Sequence, residues 1–248
     1  MIARLSRVTL ALLMPFMLAS CVLTPGKFVS TLRIDADRHF TFTYVGEVIA
    51  LQDDDMTKGL GDMTTPSTDP ASSDEDGTPT LQQIALQKDD PADNPAAKKA
   101  AADAKNRTMA AALSKEAGYR KVTYIGNGKF SIDYAISGTL DHGFVYPYNI
   151  DAEAVFPFIA VELRANNTVR MKAPGYANAN DTKGMGMPGM DKTASQLDGV
   201  FTLDTNAEIV SQNNEEGPMT TAGRKTITWK VTSLTKDAPS AVLRMAAK

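Results

Sequence analysis

The stretch His39-Phe-Thr-Phe-Thr-Tyr-Val-Gly46 decides the fold of this chain. Its polar residues alternate with three aromatic ones, Phe40, Phe42 and Tyr44. A period of two places the aromatic rings on one face of a strand and the polar side chains on the other. Turn residues stand directly before it, from Asp35 to Asp37, and another apolar run lies upstream. The stretch therefore predicts a hairpin of half-buried strands, at about residues 28–35 and 38–50.

The same alternation returns later in the chain. Two alternating runs flank Gly126-Asn127-Gly128, and a pair of Asn and Gly in that setting favours a tight hairpin. Asn166-Asn167 marks a further turn between strands, and the last clear strand is centred on Trp229. With about nine or ten strands and one substantial helix, the sequence predicts an α+β fold, mainly an antiparallel β-sheet domain over residues 27–248.

Two segments interrupt the strand pattern. Residues 53–95 carry eleven acidic residues against two lysines and are rich in proline. Such a stretch buries too little apolar surface to offset its ordering entropy, so we expect a flexible acidic insertion. A solvated linker and an acidic element that docks or binds cations are both open interpretations. Residues 96–118 are rich in alanine and lysine, with Pro95 suited to a helix start and Gly118 to its end, and predict a helix.

The N-terminus has the build of a secretory signal peptide. Arg4 and Arg7 precede an apolar run over residues 8–18, which is shorter than the roughly 20 residues of a membrane-spanning helix. The tetrad Leu18-Ala19-Ser20-Cys21 follows and resembles a bacterial lipobox. That resemblance implies cleavage between Ser20 and Cys21 and acylation of Cys21, with residues 21–26 as a lipidated tether. An ordinary signal peptide is the alternative.

The resemblance also implies a location. Two or more acyl chains hold a protein stably at a membrane surface without crossing it. The protein is then a lipid-anchored component of a bacterial cell envelope. In a Gram-negative source Val22, which is not Asp, resembles the outer-membrane sorting pattern, with the domain facing the periplasm.

Charge and cysteine content limit the remaining choices. Loss of residues 1–20 leaves 228 residues with a net charge of about −5, which gives no electrostatic reason to expect nucleic acid as a partner. Cys21 is the only cysteine, so we expect no internal disulfide. The core must therefore hold the fold by itself.

Near the C-terminus a strand, a turn with glycine and a Thr-Ile-Thr-Trp-Lys-Val strand follow one another, over Ala207 to Asn214, Gly217, Pro218 and Gly223 to Val231. This arrangement resembles that of LppM-type bacterial lipoproteins. The early pair of strands followed by a helical insertion is also similar, whereas the long acidic insertion departs from the pattern. The resemblance implies an extracytoplasmic β domain with a helix packed on it, and lipid or envelope interactions. It implies no catalytic residue.

The residues that usually carry chemistry are sparse. His39 and His142 are the only histidines, and neither has a further ligand at metal-binding spacing. We expect His39 to face solvent and His142 to lie in a turn. Gly184, Gly186 and Gly189 match a dinucleotide fingerprint in spacing only, because no strand and helix frame them. The sequence therefore predicts no enzyme and no cofactor.

Methionines give one metal hypothesis. Met185, Met187 and Met190 lie in a loop rich in glycine, and thioethers are soft ligands that select Cu(I). A copper site and a plain surface loop are both open.

Aromatic residues at strand spacing give one further choice, between an ordinary core and a groove for an apolar ligand. They are Phe40, Phe42, Tyr44, Phe130, Tyr134, Phe144, Tyr146, Phe156 and Phe158.

The first functional prediction from the sequence is an envelope lipoprotein with a non-enzymatic structural or interaction role. Its expected partners are the membrane and an envelope protein or lipid. A carrier of lipid or another hydrophobic ligand is the alternative.

Overall fold

The computed structural model describes residues 23–50, 94–147, 157–178 and 193–247. Cys21, the predicted signal peptide, most of the predicted acidic insertion and the three methionines of the copper hypothesis lie outside these ranges. The described residues form twelve strands and one long helix. In chain order they are β1 Leu23–Ile34, β2 His39–Ala50, α1 Pro95–Leu113, β3 Tyr119–Gly126, β4 Lys129–Thr139, β5 Phe144–Tyr146, β6 Ile159–Arg164, β7 Thr168–Lys172, β8 Asp198–Thr205, β9 Glu208–Gln212, β10 Met219–Thr221, β11 Arg224–Thr232 and β12 Ser240–Arg244.

The strands form two sheets. The larger has seven strands in the order β10-β11-β8-β1-β2-β4-β3, and the smaller has five in the order β5-β6-β7-β12-β9. Among the described strands β1 and β8 pair in parallel and the other pairs are antiparallel. The predicted class, mainly antiparallel β with one helix, is confirmed. The predicted number of strands is too low, because strands of three residues such as β5 and β10 are too short to show a period.

The hairpin predicted from the opening stretch is β1 and β2. Its register runs from Leu23 opposite Ala50 to Ile34 opposite Phe40. The strand β1 begins at Leu23, so residues 23–26, predicted as tether, belong to the sheet. Pro25 and its neighbour read as breakers, but a bulge between Pro25 and Phe28 accommodates them.

Gly46 faces the same bulge. A Cβ atom at Gly46 would lie 2.3 Å from the Lys27 carbonyl oxygen and 2.6 Å from the Phe28 Cα. These are backbone atoms, so they cannot move aside as a side chain can. Only glycine permits the two strands to approach this closely.

The two predicted turns form as the sequence indicates. Asn127 and Gly128 adopt φ values of 53° and 73° between β3 and β4, and Asn166 and Asn167 adopt 59° and 54° between β6 and β7. Successive positive φ angles match the twist of a tight hairpin. Asn and Gly tolerate that backbone conformation better than other residues do.

The helix α1 forms a local unit with β3 and β4. Asn94 caps it by accepting a hydrogen bond from the Ala96 backbone N–H at 3.0 Å. The helix ends at Leu113, and residues 114–118, predicted as its last turn, form turns instead. Ala110 is buried in the core, and Asp103 accepts a hydrogen bond of 2.5 Å from the Tyr124 hydroxyl. Lys99 also donates to the Asn127 side chain at 3.1 Å, which fixes α1 beside the tip of the β3–β4 hairpin.

Both sheets contribute to one core that is rich in aromatic rings. Tyr146 lies at its centre, with ring centroids 4.5 Å from Tyr134 and 5.0 Å from Phe42. The series continues through Phe158 and Tyr176 to Phe201, whose ring stacks on Trp229 at 5.5 Å. Nine aromatic residues were candidates for either the core or a ligand groove, and the eight that the structure describes all pack against other rings. For these eight residues the core interpretation holds, and Phe156 lies outside the described ranges.

Candidate functional site

One end of the sandwich is defined by the first residue of β1, and we call it the anchor end. Leu23 pairs with Ala50, and the adjoining Ile49 pairs with Lys129 at the start of β4. The tip of the β3–β4 hairpin therefore lies at this end. On the other side of β1, Lys27 pairs with Asp198, which pairs with Thr232 at the end of β11. The loop after β11 therefore extends toward the same end.

The three internal segments outside the described ranges also join the sandwich at the anchor end. Segment 51–93 follows Ala50 and precedes Asn94, the cap of α1. Segment 148–156 lies between Pro147 and Pro157, and the Pro157 carbonyl accepts a hydrogen bond from Gly175, next to Tyr176, whose ring stacks on Phe28 of β1 at 4.3 Å. Segment 179–192 follows Asn178, which bonds to the backbone of Ser233 and Thr235 in the loop after β11. The described residues on either side of segments 51–93 and 179–192 thus lie toward the end where β1 begins.

Two apolar side chains are exposed at the anchor end. Ile125, at the tip of β3, is 50% exposed, and Leu234, in the loop after β11, is 84% exposed. Lys129 lies beside the first, within 3.8 Å of the Glu47 carboxylate, and Lys236 follows the second. Sequence reasoning missed both apolar residues, because Leu234 stands alone among polar residues and Ile125 directly follows the apolar positions of β3. The signal for Ile125 is that it stands out of phase with Val122 and Tyr124, at an outward position of the strand.

The opposite end, which we call the far end, is held by an arginine. Arg224 donates from Nη1 to Asp35 at 2.7 Å and from Nε to Asp204 at 2.6 Å. These bonds join the β1–β2 turn to the end of β8 and the start of β11. Burial lowers the pKa of Arg224, but the hydrogen bonds to the two carboxylates raise it more, so its net pKa is raised. The arrangement is a structural clamp across three strands.

Neighbouring contacts at the far end fix the same turn. The Ala36 N–H donates to the Asn206 side chain at 2.6 Å, and Arg38 donates to the Asn167 side chain at 3.2 Å. The backbone of the chain's last residues also bonds here, from Ala246 to the Ala36 carbonyl at 2.9 Å. Sequence reasoning could not find this network, since its members are separated by more than a hundred residues in the chain.

The outer face of the large sheet carries a row of exposed valines. Val45, Val29 and Val200 are directly opposite one another on β2, β1 and β8, and are 53%, 59% and 36% exposed. Two residues further along these strands, the same face carries a row of paired threonines, Thr43, Thr31, Thr202 and Thr228. Lys230 on β11 and Asp133 on β4 stand at the two ends of the valine row, so the apolar part of this face spans three strands.

Both histidines lie where the sequence predicted. The His39 side chain is 66% exposed and the His142 side chain 86% exposed, in a turn after β4. Each contacts a neighbouring aspartate, His39 with Asp37 at 3.0 Å and His142 with Asp141. The pKa of Asp37 is lowered by hydrogen bonds from the His39 backbone and ring, and that of Asp141 by its bond with the His142 ring. Within the described ranges no three acidic, histidine or cysteine side chains are grouped so as to hold a metal ion.

Several tyrosines are buried in the aromatic core. The Tyr44 hydroxyl donates to the Glu47 carbonyl at 2.7 Å, whereas the Tyr176 hydroxyl makes no hydrogen bond among the described residues. The nearby Ser30 hydroxyl instead donates to the Thr43 carbonyl at 3.0 Å. Burial raises the pKa of Tyr44 and Tyr176 far above the usual range. These side chains stay neutral at any physiological pH and serve as packing groups.

Comparison with known proteins gives little further constraint. No family model and no curated protein matches the chain. Among solved structures, the NMR structure of the folded domain of LppM from Mycobacterium tuberculosis matches at 11% identity and a TM-score of 0.34, covering 91% of this chain and 93% of that one. A likeness this distant carries no functional argument, so the resemblance to LppM-type lipoproteins stays a prediction. Helices long and apolar enough to cross a membrane were not found in the described ranges.

Proposed function

We propose that this protein is a lipoprotein of a bacterial cell envelope, anchored to a membrane through acyl chains on Cys21, with a non-enzymatic structural or interaction role. The tetrad Leu18-Ala19-Ser20-Cys21 and the apolar run before it are the basis in sequence. In a Gram-negative source the membrane is the outer membrane, and the domain faces the periplasm.

The observation that carries the proposal is the spacing between Cys21 and the folded domain. The strand β1 begins at Leu23, and its first residue already pairs with Ala50. At about 3.3 Å per residue, the Cys21 Cα lies no more than about 7 Å from the Leu23 Cα. A signal sequence cut just before Cys21 releases a chain that starts almost at the sheet.

The energetics suit an anchor made of lipid alone. Burial of an acyl chain contributes about 0.8 kcal/mol per CH₂, so two or more chains hold a protein stably.

The alternative function, a carrier of lipid or another hydrophobic ligand, has no separate support from the aromatic core, whose described rings pack on one another. The copper alternative depends on Met185, Met187 and Met190, which lie outside the described ranges. It stays a prediction.

The test is processing and membrane association of the full precursor in a bacterial host. The wild-type protein is expected to yield a mature N-terminal peptide that carries diacylglyceryl and acyl groups on Cys21, detected by mass spectrometry, and to sediment with membranes in high salt. Cys21→Ser should remain unprocessed and unacylated. Val22→Ala, which leaves the tetrad intact, is the matched control and should behave as wild type. Processing of Cys21→Ser together with its salt-resistant sedimentation would refute the proposal.

A further inference from the structure

We infer that the anchor end of the sandwich rests on the lipid bilayer, with Ile125 and Leu234 inserted into its interfacial layer. The inference rests on the proposed lipid anchor at Cys21 and adds which surface of the domain contacts the membrane. It also fixes the orientation of the domain, with the Arg224 clamp directed away from the bilayer.

The length of the chain before β1 is the first step of the argument. Acyl chains on Cys21 place its sulfur at the level of the lipid headgroups, and the Leu23 Cα lies within about 7 Å of the Cys21 Cα. From Leu23 onward the backbone is held in the sheet by its pairing with β2. A tether of this length leaves the domain no room to tumble away from the surface, so the end of the sandwich that carries Leu23 must face the lipid.

The register shows which side chains lie toward that end of the domain. Ile125 is next to Gly126, which pairs with Lys129 of β4. Lys129 in turn pairs with Ile49 of β2. The residue after Ile49 is Ala50, which pairs with Leu23. The chain reverses on the other side of β1 just after Thr232, where the Thr235 N–H donates to the Thr232 carbonyl at 3.0 Å. Leu234 lies in that turn, and Thr232 before it is level with Lys27, four residues along β1 from Leu23. The two apolar residues thus stand on either side of β1, toward the end of the domain from which Cys21 extends.

Exposure and chemistry fit a lipid surface. Large apolar side chains that are half or more exposed lose contact with water on entering the interface, which favours insertion. Lys129 and Lys236 stand next to them, and lysine stems bury their methylenes while the ammonium group stays among the headgroups. Lys129 is close to Glu47 and Lys236 is followed by Asp237, so we expect the contact to be apolar and to need no anionic lipid.

The test uses the full acylated protein reconstituted into phosphatidylcholine vesicles whose acyl chains are brominated, a quencher of tryptophan fluorescence within the bilayer. Ile125→Trp and Leu234→Trp report on the anchor end. Met219→Trp is the matched control, because Met219 is 73% exposed on β10 and pairs with Thr226 toward the far end. The native Trp229, buried against Phe201, is a constant background measured in the wild type.

The added fluorescence is expected to be largely lost at positions 125 and 234 and retained at position 219. Equal quenching at all three positions, or none at 125 and 234 in protein that floats with the vesicles, would overturn the orientation while leaving the anchor intact. Protein that fails to float with the vesicles lacks the anchor, and that result overturns both proposals. Exposed positions were chosen for all three variants, so circular dichroism should show the same fold in each.

Discussion

Replacing Tyr44 and Tyr176 one at a time by Phe removes a hydroxyl from each of two fully buried rings. The two substitutions are chemically identical, but the hydroxyls differ in their surroundings. That of Tyr44 donates to the Glu47 carbonyl at 2.7 Å, and that of Tyr176 has no hydrogen-bond partner in the described part of the chain. The pair therefore isolates the contribution of one buried hydrogen bond.

Only the first substitution is expected to destabilise the protein. A buried hydrogen bond contributes about 1 kcal/mol net, and a carbonyl left without its partner adds to the loss, so Tyr44→Phe should destabilise by about 1 to 2 kcal/mol. A buried hydroxyl without a partner costs about 1 to 3 kcal/mol of desolvation. Tyr176→Phe relieves that cost but leaves a small void, so it should be neutral or stabilise by up to about 1 kcal/mol.

Thermal and denaturant unfolding, followed by circular dichroism, measures the difference. A free-energy change of 1 kcal/mol shifts the Tm of a domain of this size by about 2 to 4 °C. Tyr44→Phe should therefore unfold several degrees below wild type, and Tyr176→Phe at or above it. If Tyr176→Phe lost as much stability as Tyr44→Phe, the Tyr176 hydroxyl would have to be hydrogen-bonded, and the reasoning would be refuted.

Three other predictions follow from the described contacts. Gly46→Ala forces a Cβ atom into the backbone of β1 and should destabilise by more than about 3 kcal/mol in a denaturant titration, whereas Gly138→Ala meets only a ring edge and should cost far less. Burial raises the pKa of Tyr119 to about 12 against about 10 unfolded, so unfolding releases a proton above pH 10. The contribution of Tyr119 to stability should be constant below pH 10 and fall between pH 10 and 12 by about 1.4 kcal/mol per pH unit, measured by denaturant titration; tyrosinate absorbance that appears near pH 10 with the fold intact would contradict this. Tyr124→Phe removes the bond to Asp103 and should speed hydrogen exchange in α1 while β1 and β2 stay protected; unchanged exchange in α1 would show that the bond does not hold the helix.

Local sequence signals predicted the elements correctly where one period or one turn decides them. The alternation at residues 39–46 gives β2 because side chains of a strand point to opposite faces, whatever the strand's partner. The Asn127-Gly128 and Asn166-Asn167 turns form because these residues tolerate positive φ angles. The capped start of α1 at Pro95 follows from the same kind of local preference.

Signals of this kind failed where a distant partner changes the local rule. Pro25 and Gly26 predicted a tether, yet both are buried in β1, because a bulge opposite Gly46 tolerates them. The three-residue strand β10 has no period of its own and exists only by pairing with β11. The parallel pairing of β1 with β8 joins residues about 170 positions apart, and no local pattern specifies it.

The amino-acid sequence by itself determined the alternation, the turns, the helix and the predicted lipid anchor at Cys21, because each depends on neighbouring residues only. The tertiary structure alone decided which strands pair, that Arg224 clamps the far end, and that Ile125 and Leu234 share an end with the first residue of β1. Those features depend on burial of one common core. The free energy of that burial is a property of the assembled sheets, and no single segment contains it.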